Sequence, residues 1–127
     1  MGNKRRNLKI EYNNAIEIIT EAFKEMKNIY SNNIEDYVNL PYAFYESEFV
    51  PFIMLKLKQN DLVILNEIFN FIEKLFLSGD DMIVNLVEVA VVESLFFEKN
   101  YTKYESAILN LCGKQTRHSF EKCCEKP

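Results

Sequence analysis

The chain has 127 residues, 48% of them hydrophobic and 27% charged, the balance of one ordinary globular domain rather than a multi-domain enzyme. Three glycines, three prolines and one histidine are too few turn-formers for an all-β protein and too small an inventory for most catalytic sites. Residues 1–9 carry a net charge of +4, residues 10–98 carry −11 and residues 99–127 carry +3. Phosphate binding needs the opposite sign from that acidic middle, so nucleic acid is excluded as the expected partner and a basic protein is favoured.

Residues 1–8, polar and basic with nothing to bury, are expected to be disordered, which leaves 9–127 as a single all-α domain. A first helix is predicted over 10–30, where Tyr12, Ile16, Ile19, Phe23, Met26 and Tyr30 recur at helical spacing and Glu17, Glu21, Lys24 and Lys27 take the other side. Ser31-Asn32-Asn33 stops it and opens a short turn with Glu35, Asp36 and Tyr37. Pro41 suits the first position of a second helix running to about 58, kinked at Pro51, which cannot donate to residue 47. Asp61 caps a third helix on which Leu62, Leu65, Phe69, Ile72 and Phe76 repeat every three or four residues until Gly79.

Asp80 and Asp81 open a fourth helix over 82–97, apolar on nearly every side and therefore expected to be surrounded by the others. Its β-branched run, Val87 to Val92, would suit a strand, but the segment is too long for one. Tyr101, Tyr104, Ile108 and Leu111 mark a fifth helix ended by Gly113, and Thr116 caps a short last one near Phe120. Five to six antiparallel helices joined by short polar turns make either a bundle or a short stack resembling a HEAT-type solenoid.

Little in the chain suggests chemistry. Cys112, Cys123 and Cys124 are an odd cluster, read as free thiols in a reducing compartment, and with His118 they match no usual zinc spacing. His118 has no triad around it, and the acids Glu67, Glu73, Glu88 and Glu93 lack the Glu-x-x-His pairs of a di-metal bundle. The expectation is a non-enzyme with no metal, no cofactor and no small-molecule substrate. With neither an export signal nor an apolar run of membrane length, the expected location is the cytoplasm, with no membrane contact.

The segment 35–49 interleaves four acids with five aromatic rings. Interfaces use Tyr and Phe as anchors, and acids steer a basic partner, which makes Glu35, Asp36, Tyr42, Tyr45, Glu46 and Glu48 the candidate partner-binding residues. Helix packing competes for the same rings.

The order Pro41-Tyr42, Phe49-Val50-Pro51, Phe71-Ile72-Glu73, Gly79-Asp80, Val84-Asn85-Leu86, Val92-Glu93-Ser94-Leu95 and Gly113-Lys114-Gln115-Thr116 resembles a family of small all-helical bacterial proteins. Some of these are similar to immunity proteins of contact-dependent growth inhibition and related polymorphic toxin systems. The resemblance spans roughly residues 34–120. It implies a protein that binds and blocks a cognate toxin domain in the cytosol, often a basic nuclease. The alternative is a non-catalytic helical adaptor for another protein.

Overall fold

Carboxylates set where two of the long helices begin. In the computed structural model, which describes residues 9–125, Asp61 Oδ1 accepts the Ile64 N–H at 3.3 Å and Asp80 Oδ1 accepts the Ile83 N–H at 2.9 Å. Each satisfies a donor that the first helical turn leaves without a partner. Eight helices result among the described residues: α1 Ala15–Ala22, α2 Lys24–Asn32, α3 Ile34–Tyr37, α4 over 41–59, α5 Leu62–Ser78, α6 over 81–96, α7 Tyr101–Leu111 and α8 Lys114–Cys123. They form one all-α domain. The segment expected to be disordered, 1–8, lies outside the described residues.

The helix predicted over 10–30 is two helices. Its start is displaced because Ile10 forms a parallel bridge with Gly79, its N–H donating to the Ser78 carbonyl at 2.7 Å, before a 3-10 turn, Tyr12–Asn14. It then breaks at Phe23, which is extended (φ −133°, ψ 119°). The side chain explains the break. Its ring packs against Phe49, Phe52 and Phe71 at centroid distances of 5.7, 6.0 and 5.3 Å, a seat that offsets the interrupted backbone ladder.

Pro51 leaves the second helix continuous. The widened π-helical turn Tyr45–Phe49 stands immediately before it, closed by the Val50 N–H on the Tyr45 carbonyl, and an α-helical stretch, Val50–Gln59, follows. The change of hydrogen-bond register falls where the proline could not have donated, so one widened turn absorbs the fault. Asn60 ends α4 in the left-handed conformation (φ 54°), its N–H on the Leu57 carbonyl.

A second π-helical segment, Val87–Glu93, lies in α6 and meets the first. Helix α6 packs on α4, α5 and α8, burying Ile83, Leu86, Val87, Ala90, Val91, Val92 and Leu95. It is not covered all round, contrary to its near-uniform apolar sequence. Met82, Asn85 and Val89, spaced three and four apart, form a strip open to solvent. Helix α5 meets expectation at Leu65, Phe69 and Ile72, which are buried, and at half-buried Phe76, but Leu62, expected in the same stripe, is exposed.

Candidate protein-docking edge

Of the six candidate partner-binding residues, the structure keeps three on an open acidic edge. Glu35 and Asp36 are exposed on α3, and Glu46 is exposed on the π turn of α4. Glu48, half-buried on the same turn, accepts a short hydrogen bond from the Tyr37 hydroxyl, which ties α3 to α4. That hydrogen bond, reinforced by burial, raises the Tyr37 pKa above its ordinary value. Glu48 therefore positions α3 as well as adding charge. Three apolar side chains lie exposed on α3 and in the link from it to α4: Ile34, Val38 and Leu40.

Tyr45 is a correction. It is fully buried, its hydroxyl donating to the Ala15 carbonyl at 2.7 Å, and desolvation pushes its pKa far up. It shares the buried face of Pro41, four residues earlier, so it fastens α4 to α1 and cannot touch a partner. Tyr42 is half-buried and turned elsewhere, its ring beside Tyr12 and its hydroxyl donating to Asn85 Oδ1 of α6. Regular spacing separates these rings: Tyr45 is four residues after buried Pro41 and shares its face, whereas Tyr42 does not.

The carboxylates of α5 and α6 divide by role. Glu67 is exposed. Glu73 holds the start of α8: its Oε1 accepts the Thr116 N–H at 2.9 Å and the Thr116 hydroxyl at 2.8 Å, and its Oε2 accepts the Gln115 N–H at 3.0 Å. Burial alone would raise its pKa, but these donors hold it below the ordinary carboxylate value. The expected Thr116 cap is thus supplied from another helix. Gly113 is required beside it, since a Cβ there would come within 2.5 Å of Glu73 Cδ. Glu88 pairs with Lys122 at 3.2 Å, which explains a carboxylate on so apolar a helix.

His118 is exposed on α8, and no group of three or more His, Cys, Asp or Glu side chains among the described residues is placed to hold a metal ion. Cys112 is half-buried, Cys123 buried and Cys124 exposed, and none of the three is in a disulfide. Desolvation pushes the Cys112 thiol up to about 12. In native buffer at pH 8 one thiol, Cys124, should react fast with Ellman's reagent, and all three should do so in denaturant. Fast reaction of all three in the native protein would place Cys112 and Cys123 in solvent.

No helix among the described residues is long and apolar enough to cross a membrane. No curated protein and no solved structure matches the chain. A family described as a domain of unknown function, DUF7674, matches residues 16–126, from α1 through the last helix, and the chain belongs to that family.

Proposed function

We propose that the chain is an immunity protein that binds a basic toxin domain, a nuclease by preference, and blocks it by covering its working surface rather than by chemistry. One observation carries this: between 34 and 48 the chain exposes the acids Glu35, Asp36 and Glu46 together with the apolar Ile34, Val38 and Leu40, and the Tyr37–Glu48 hydrogen bond joins α3 to the turn of α4 that carries Glu46. Apolar anchors together with charge of one sign suit a partner of the opposite sign, with the acids setting the rate of encounter and the apolar contacts the lifetime. The acidic balance of residues 10–98, −11, extends the attraction beyond the contact itself. The resemblance to small helical immunity proteins points the same way, and the cytoplasm is where such a toxin must be met.

The test is purification of the tagged chain from its native host, followed by assay of the captured partner's nuclease activity. A stoichiometric basic partner whose activity falls on adding the chain is the expected result. Its association should slow as salt rises from 0.1 to 1 M, because the screening length shortens from about 10 Å to about 3 Å. Lysine at positions 35, 36 and 46 together should free the partner, while Glu67→Lys, an exposed control on α5, should not. A captured protein without toxic activity, or a nuclease still active in the complex, overturns the proposal in favour of a helical adaptor.

A further inference from the structure

Most tyrosine hydroxyls around α4 are matched inside the molecule: Tyr37 to Glu48, Tyr42 to Asn85 and Tyr45 to the Ala15 carbonyl. The cleft between α1 and the 38–41 turn is the exception. It has a volume of about 610 Å³ and is lined by Tyr12, Asn13, Ile16, Glu17, Tyr30 and Asn39 over a floor at Pro41. The side-chain polar ends of Tyr12, Asn13, Glu17, Tyr30 and Asn39 have no hydrogen-bond or ion-pair partner among the described residues. Five side chains with unmatched polar ends line one hollow.

The walls are set before any ligand arrives. Tyr12 lies against Tyr42 at 6.0 Å, and its N–H donates to Asp80 Oδ2 at 3.0 Å. Tyr30 stands edge-on to the buried Phe44 at 5.6 Å and 87°. Asn39 is held in the left-handed conformation (φ 61°) by the turn whose Leu40 N–H donates to the Tyr37 carbonyl at 2.9 Å. Fixed walls lower the cost of ordering on binding.

The sign of the cleft selects the ligand. Its one formal charge is the Glu17 carboxylate, no Lys or Arg lines it, and tyrosine rings attract cations through their π faces. An anion finds no counter-charge there. We infer that the cleft receives the guanidinium of an arginine side chain presented by a protein partner. Five N–H donors in a planar fork suit a carboxylate, two carboxamide oxygens and two phenol oxygens better than a lysine ammonium does. The inference rests on the reading above, in which a basic protein supplies the arginine.

The probe does not need that protein. The full chain is titrated with the peptide acetyl-Gly-Arg-Gly-amide, and separately with its citrulline counterpart, an uncharged isostere, following backbone amides by NMR. Saturable shifts confined to residues 12–20, Tyr30 and Asn39 are expected for the arginine peptide. Binding should weaken by about threefold or more with citrulline, and likewise in Glu17→Gln, an exposed substitution that leaves folding intact. Glu67→Gln should change nothing. Equal binding of the citrulline peptide, shifts scattered over the acidic surface, or none that saturate by about 50 mM would overturn the assignment. So would methyl glucoside shifting the same amides in place of the peptide. A native partner that proves not to be a toxin would sink the immunity reading and leave the peptide result standing.

Discussion

Truncating Phe49 to alanine should destabilise the protein by about 3–5 kcal/mol, the range for removing a fully buried aromatic side chain. Phe49 is wholly buried and its ring meets Phe23, Tyr45 and Phe71 at 5.7, 5.8 and 5.9 Å. The cost goes beyond lost transfer free energy. Phe23 breaks the helical ladder between α1 and α2 to reach this cluster, and without Phe49 that seat is half empty. Urea denaturation of Phe49→Ala against the wild type reads the effect. A loss below about 1 kcal/mol would show that the cluster can collapse around the gap.

The second large effect is expected at Glu73. Glu73→Ala leaves the Gln115 and Thr116 N–H groups and the Thr116 hydroxyl without their acceptor, a loss of about 2–3 kcal/mol for charge-assisted hydrogen bonds at a helix start. The sign of its pH dependence follows from the lowered pKa. A carboxyl whose pKa is lower folded than unfolded contributes fully above the unfolded value, near pH 4, and loses its contribution as pH falls through the folded value. Asp80, lowered by the Ile83 and Tyr12 N–H groups, acts in the same sense. The gap between wild type and Glu73→Ala should therefore be full at pH 7 and narrow between pH 5 and pH 2. A gap constant across that range would mean that Glu73 acts through packing and not through its charge.

How much of this was legible depended on distance along the chain. Caps at Asp61 and Asp80 could be read because the acid and the N–H it satisfies are three residues apart. The Glu73 cap could not, because its donors lie more than forty residues away; the one sequence hint was Gly113-Lys114-Gln115, a helix start with no acid of its own. Leu65, Phe69 and Ile72 were read as core because α5 keeps ideal periodicity throughout. Tyr45 was misjudged as a surface anchor because the acids beside it, Glu46 and Glu48, outweighed its spacing of four from Pro41, whose face is buried. The break at Phe23 carries no glycine or proline to announce it; only the rings waiting at 49, 52 and 71 explain it. The acidic edge was half legible: charge was visible, but exposed Ile34, Val38 and Leu40 beside it were not. The cleft residues, scattered between 12 and 41, share no spacing that a sequence would reveal.

The two π-helical segments also constrain length. A π turn holds one residue more than the α turn it replaces, so α4 and α6 each carry a surplus residue exactly where they touch. Deleting one residue within 45–49 would return α4 to regular winding. Because the residue lost is the surplus one, Phe52, Ile53 and Leu57 would keep the faces they hold, whereas the same deletion in the regularly wound α5 would swing everything beyond the cut by about 100°. The widened turns are therefore the places where α4 and α6 should tolerate the loss of a residue, and a regular stretch is where a deletion of three nucleotides would turn half a helix inside out.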